Sequence, residues 1–335
     1  MERTNAYSLL DFLDNSPCNF FASATIQRYL DDNGFQELKQ SERWNLEKGG
    51  KYYVKKNDTA IFGFVIGETP LDQSGFNMIS AHSDSPCFRI KPNPEMLADG
   101  VLKLNTEVYG GPILYTWFDR PLSLAGRVIV RNPQNPARPI TKLIDFASPV
   151  LIIPHLAIHF NRNVNAGNPL SKQKDMLPIA AIVSDSMSKN NFLIDQIKER
   201  LEIADSKDIL DFDLMLYNCQ KSQLVGFNKE FICSGRIDDL SMAHAALSAL
   251  LNSDNPATTK VMAIFDNEET GSGTKQGAAS PVLASILHRV STCMGLDGEG
   301  FYQALSRSFL VSADNAHAAH PNYPEKYDPT NHPKM

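Results

Sequence analysis

The amino-acid sequence predicts an α/β domain divided by a mainly β insertion. Three observations lead there. Strand and helix patterns alternate over residues 1–90 and again over residues 234–335, as an α/β layer structure requires. Between them, residues 91–233 are dominated by short strand-like runs broken by glycine and proline, an all-β signature. Several apolar runs of the flanking parts end in histidine, aspartate or glutamate, which gathers polar chemistry at strand ends.

Taken in order, Ala6 to Leu13 carries apolar residues at helical spacing, Pro17 punctuates, and Phe20 to Leu30 continues until Asn33-Gly34 ends a second helix. Tyr52 to Val54 and Ala60 to Ile66 read as strands joined by a turn at Asn57-Asp58. Asn77 to Ala81 is a further apolar run leading into His82-Ser83-Asp84-Ser85-Pro86. In the middle part, Leu102 to Leu104, Ile113 to Trp117 and Arg127 to Val130 read as strands, with Gly110, Gly111 and Pro112 as breaks. Asn161 to Lys174, rich in Asn and Lys, reads as an exposed loop, and Asn191 to Leu201 as a helix. After Gly235, Leu240, Ala243, Leu247 and Leu250 fall on one helical face. A strand follows, its apolar run Val261 to Phe265 leading to the adjacent pair Glu268-Glu269. Val282 to Val290 then reads as a helix, and Ser308 to Ser312 as a strand leading to Asp314.

Composition excludes several function classes. The 335 residues suffice for a large core and two domains, and 42% hydrophobic and 21% charged residues are ordinary for a globular protein. The net charge of -6 and the scattered lysines and arginines argue against a nucleic-acid partner. No apolar stretch has the length to cross a bilayer, so no membrane is expected. Asp11 and Asp14 interrupt the N-terminal apolar stretch, which is therefore not a signal peptide. Five cysteines, an odd number with no CxxC pair, suit reduced thiols and a cytoplasmic location.

The chemistry lies in four motifs. In an extended segment residues two apart point the same way, so in His82-Ser83-Asp84 the aspartate is placed to accept the imidazole's other N–H. Gly235-Arg236-Ile237-Asp238-Asp239 precedes a helix, where either aspartate also suits an ordinary N-cap. Glu268 and Glu269 end a buried strand, and a buried unpaired carboxylate is costly unless an ion or a partner compensates it. Ser312 to His317 brings Asp314 to another strand end. One histidine, two or three carboxylate ligands and a spare glutamate fit zinc or a similar divalent ion. Two such ions bridged by one aspartate activate water and polarise a carbonyl together. There is no GxSxG, P-loop or GxGxxG in a convincing context, and Gly271-Ser272-Gly273 reads as a tight turn.

At these residues the chain resembles the M18 metallo-aminopeptidases, the aspartyl aminopeptidases. The marks are Ala81 to Pro86, Tyr109-Gly110-Gly111 with Thr116 to Arg120, Ile153 to His159, Gly235 to Leu240, Asp266 to Glu269, and Asp314 to Tyr323. The resemblance implies a mixed-sheet, phosphorylase/hydrolase-like catalytic domain (1–90 and 234–335) with the β insertion (91–233) as oligomerisation domain. It implies a hydrolase that removes N-terminal Asp or Glu from peptides through water activated by two zinc ions, with Mn2+ or Co2+ as substitutes. By position, His82, Asp238, Glu269 and Asp314 are the implied metal ligands, with Asp238 bridging and followed by a cis peptide. Glu268 is the implied general base, and Asp84 supports His82. The resemblance also implies a homo-oligomer in which a histidine of Pro154 to His159, either His155 or His159, reaches a neighbouring active site or packs at the interface.

Family members extend beyond the equivalent of Met335 with a part that supplies the last metal-binding histidine and much of the acidic-substrate pocket. His317, His320 and His332 do not match that motif and are expected to be local structure or to back the ligands. The alternative reading is therefore a catalytically incomplete, non-enzymatic subunit or fragment of the same fold. A related amidohydrolase, acting on acylated amino acids or peptide C-termini, shares the metal logic but not the β-domain motifs.

Overall fold

The computed structural model describes residues 2–183, 190–253 and 256–334. Two helices, α1 (Glu2–Asp14) and α2 (Asn19–Asp32), lead into β1 (Gln36–Glu37), β2 (Lys51–Lys56) and β3 (Ala60–Val65), then the short α3 (Leu71–Ser74) and β4 (Phe76–His82). The chain next forms β5 (Cys87–Ala98), β6 (Val101–Tyr109), β7 (Leu122–Val130), β8 (Ile140–Asp145) and β9 (Ile179–Ile182). Then come α4 (Phe192–Arg200), β10 (Ile209–Asn218), and the two-stranded ribbon β11 (Gln223–Val225) and β12 (Phe231–Cys233). It finishes with α5 (Ile237–Asn252), β13 (Thr259–Phe265), α6 (Val282–Cys293), α7 (Gly298–Ser306) and β14 (Phe309–Ser312).

The first six-stranded sheet has the order β1-β2-β3-β13-β4-β14. It is mixed: β13 is antiparallel to β3 but parallel to β4, and β14 is parallel to β4. Side chains alternate across a strand, so β13 serves two cores at once. Val261, Ala263 and Phe265 pack with Phe62, Phe64, Ile286, Leu287 and Phe301 under α6 and α7. Met262 and Ile264 pack on the opposite face with Phe12, Ile26, Leu30, Leu240 and Leu247 from α1, α2 and α5. Each fully buried large apolar side chain contributes about 1.5–3 kcal/mol relative to exposure. These two faces bury most such residues and make this sheet the rigid platform.

The second six-stranded sheet has the order β8-β7-β10-β5-β6-β9 with antiparallel pairing, and α4 covers it through Leu193 and Ile197. The mixed-sheet α/β architecture with a β layer between its halves agrees with the sequence reading. Cys18 and Phe20 of the α2 start pack with Cys87, Tyr109, Ala125 and Met215, joining the two sheets.

Two expectations need correction. Leu114–Trp117 is a 3-10 turn, not a strand: Thr116 bonds back to the carbonyl of Ile113 through both its amide and its hydroxyl, and Ile113 is exposed. The strand before the glutamate pair ends at Phe265, and Glu268–Thr270 forms a 3-10 turn. Among the described residues, no helix is long and apolar enough to cross a membrane.

Candidate metal centre

Three parallel strands end side by side. His82 closes β4 in register with Phe265 at the end of β13, and Ser312 at the end of β14 lies opposite Ser80. The segments leaving these ends carry Asp84, Asp266 to Glu269, and Asp314, where open α/β sheets place their ligands. The start of α5 adds Asp238 and Asp239, whose backbones are non-helical and joined by a cis peptide bond. The N-cap position is Arg236, which makes no side-chain cap bond.

All six predicted site residues meet here. His82 Nε2 lies 3.4 Å from Asp238 Oδ1, 3.8 Å from Glu268 Oε2 and 3.9 Å from Asp314 Oδ1. Ligand atoms of His82, Asp238, Asp239 and Asp314 lie within 4.8 Å of one another, and so do those of His82, Glu268 and Glu269. The imidazole is buried, whereas the side chains of Asp238, Glu268 and Asp314 are about half exposed. The cluster therefore opens to solvent on its carboxylate side.

Burial lowers the pKa of His82, but Asp84, Asp239 and Glu268 outweigh it and lift the value to about 9. Burial raises Glu269 to about 7, helped by the charges of Asp238, Asp84 and Glu268. Asp239 is likewise raised to about 7, chiefly by burial. Asp238 is raised by burial and by the charge of Asp314. So much crowded negative charge around one imidazole calls for a cation.

The donor set fits zinc. Nδ1 of His82 faces the carbonyl of Asp84 at 3.0 Å, and a carbonyl only accepts, so in the neutral ring this nitrogen carries the proton and Nε2 keeps the lone pair a metal needs. Asp238 Oδ1 is buried without a hydrogen-bond partner, an orphan that a metal ion satisfies. Asp239, although close, is already engaged. Its Oδ2 accepts the His82 amide at 3.1 Å and its Oδ1 accepts the Asn315 side-chain amide at 3.0 Å, so it braces the centre.

Three contributors were not assigned by sequence reading. Asn315 ties the loop after β14 to Asp239, to Ser241 and to the carbonyl of Ile237. Asn267, in the left-handed region, holds the turn that presents the glutamates, and Tyr109 meets it through its hydroxyl. All three sit inside motifs legible in the sequence, but only spatial proximity reveals their partners. His155 lies on the β layer, against the rings of Phe118 and Tyr115, and His159 is exposed in a 3-10 turn. His317, His320 and His332 belong to neither ligand group among the described residues.

Comparisons with known proteins point to a family of zinc enzymes. The model of the aminopeptidase I zinc metalloprotease family, M18, matches residues 12–335. A probable M18 family aminopeptidase 2 of Clostridium novyi is 52% identical over 331 residues, covering 98% of this chain and 76% of that protein. Among solved structures, Chaetomium thermophilum mApe1 superposes with a TM-score of 0.88 at 32% identity, covering 97% of this chain and 77% of that one. The mApe1 dodecamer of S. cerevisiae shares the fold at a TM-score of 0.84 and 24% identity, covering 98% of this chain and 75% of that one. The chain belongs to the M18 family of zinc metallo-aminopeptidases.

Proposed function

We propose that the chain removes N-terminal residues, Asp or Glu by preference, from peptides. The observation that carries this reading is the convergence of His82, Asp238, Glu268, Glu269 and Asp314 at one solvent-facing point. His82, Asp238, Glu269 and Asp314 would hold two zinc ions, with Mn2+ or Co2+ as substitutes. Bound there, the ions would supply Lewis-acid polarisation of the scissile carbonyl and lower the pKa of water. Glu268 takes the proton of the attacking water and delivers it to the leaving amine. Asp84 holds His82 in its tautomer and accepts the backbone amides of Glu268 and Glu269, each at 3.2 Å, which holds the backbone that carries both side chains. The acidic preference rests on the family resemblance.

In the same reading residues 1–90 and 234–335 form the catalytic domain and residues 91–233 the oligomerisation domain of a cytoplasmic homo-oligomer. Exposed apolar residues of the β layer, Ile113, Leu156, Ile158 and Phe160, support an interface there. In that interface His155 or His159 reaches a neighbouring active site or packs against the partner.

The test is release of Asp or Glu from a short peptide by the zinc-loaded chain. Metal-dependent release that Glu268→Gln abolishes, while zinc stays bound, is the expected result. Near-normal turnover by that variant overturns the assignment of Glu268. No release from a folded, zinc-loaded wild-type chain overturns the enzymatic reading in favour of a non-catalytic subunit.

A further inference from the structure

We propose that Tyr109, the last residue of β6, is a positioning residue through which the inserted β layer sets the catalytic glutamate pair. The inference rests on the roles proposed above for Glu268 and Glu269. Tyr109 is 6% exposed and belongs to the second sheet, where it pairs with Cys87 at the start of β5. Its side chain nonetheless ends inside the metal centre of the first sheet. The hydroxyl donates to Asp84 Oδ2 at 2.6 Å and accepts from Asn267 Nδ2 at 2.8 Å.

Both partners control the glutamates. Asp84 Oδ1 accepts the Glu268 amide and Oδ2 accepts the Glu269 amide. Asn267 immediately precedes the pair, and its Oδ1 is held by Thr274 Oγ1 at 2.8 Å and by Gln276 Nε2 at 2.9 Å. The phenol hydroxyl is thus the joint between the carboxylate that receives the glutamate amides and the loop that carries them. The next residue continues the contact. Gly110 has φ +69°, and a Cβ there would stand 3.1 Å from Cβ of Glu269, so the insertion's backbone lies directly against that side chain.

Loss of the hydroxyl removes one of the donors to Asp84 and leaves Asn267 Nδ2 without this acceptor. The ring still fills its place, so the fold is retained while the glutamates gain freedom. Misplacement of reacting groups by about 1 Å costs on the order of 100-fold in rate. Loss of an outer hydrogen-bond partner of a metal site costs about 10–100-fold in affinity or activity. A residue that only packs between the sheets changes neither quantity.

The experiment compares wild type, Tyr109→Phe, Asn267→Gly and the double variant. Glycine at 267 keeps the left-handed backbone while removing the side chain. Readouts are kcat and KM with zinc, and the visible ligand-field spectrum and affinity of cobalt(II) in the same proteins. Tyr109→Phe is expected to lower kcat about 10–100-fold with KM within about twofold, and to alter the cobalt spectrum. The double variant is expected to be no worse than the poorer single one, because both act through one joint. A Tyr109→Phe chain that is merely less stable, with wild-type kcat and cobalt spectrum, overturns the inference, as do additive losses in the double variant. If wild type itself releases no amino acid, the peptidase reading fails, and the cobalt spectra alone decide the role of Tyr109.

Discussion

Asn315 closes the metal centre from the side of β14 by donating its side-chain amide to Oδ1 of Asp239 at 3.0 Å. Asp239 is fully buried, so this bond supports a carboxyl group that packing alone would penalise. Replacing Asn315 by Leu removes the donor and keeps most of the volume. Leaving a buried acceptor unpaired costs about 1–3 kcal/mol. The expected result is a loss of that size in urea unfolding of the metal-free chain. An unchanged unfolding midpoint would show that Asp239 does not depend on this bond.

Asp84 offers a second, separable test. It is buried, it braces His82 through its carbonyl and carboxylate, and its pKa is held below the usual carboxylate range: burial opposes this, but hydrogen bonds from His82 and Tyr109 prevail. Asp84→Asn keeps the shape but turns an amide nitrogen toward groups that donate. Zinc affinity, read by competition with a chromophoric chelator, is expected to fall about 10–100-fold. Equal affinity in the two proteins would contradict the bracing role.

Much of this was legible from residue order because the first sheet obeys simple patterning. Val261 to Phe265 and Ala60 to Ile66 are continuous apolar runs, and each became a strand buried on both faces. The long strand β5 was less visible. It contains Pro92 and Pro94, which disfavour a regular strand, and it accommodates them where its register with β6 shifts between Ile90 and Glu95. Ile113 to Trp117 failed in the opposite way, apolar enough for a strand but closed into a turn by Thr116. In the site, the ligand types and their place at strand ends could be read, since polar residues ending buried runs announce themselves. The pairings of Asn315 with Asp239 and of Tyr109 with Asp84 could not, because they span 76 and 25 positions and depend on how the two sheets meet.

The metal-free chain should lose stability as pH rises. Asp239 and Glu269 have folded values of about 7 against ordinary values of 3.8 and 4.5, and His82 about 9 against 6.5. In each case the folded state holds the proton more tightly than the unfolded one. Stability therefore falls with pH wherever the folded state carries the extra proton. The carboxyl contribution is complete below their ordinary values and is lost by about pH 7. The imidazole contribution is complete below about 6.5 and is lost as pH passes 9. Zinc held by the proposed ligands would displace the protons of His82 and Glu269, so its uptake should release protons and strengthen with pH up to about 9. Thermal melts with chelator and with zinc, from pH 5 to about 9.5, check both parts. A metal-free midpoint that rises across this range would contradict the charge balance described for the site.

The cysteines give a last prediction that is independent of the metal. Burial pushes the Cys18 thiol up to about 12 and raises Cys87 further in the same direction. Both are buried where α2 meets the β layer, lining one cavity there, so a bulky reagent reaches them fully only when that packing loosens. Cys233 and Cys293 are exposed and free. Since the thiolate is the reactive form, a chromogenic disulfide reagent at pH 8 should titrate Cys233 and Cys293 rapidly in the native chain. Cys18 and Cys87 should react only at the rate of opening, and that rate should rise together for the two of them in dilute denaturant. Fast native labelling of Cys87 would mean that the β layer swings away from Asp84 without unfolding. The contact between the two sheets would then be a mobile one, and Tyr109 could not hold the glutamate pair in a fixed position.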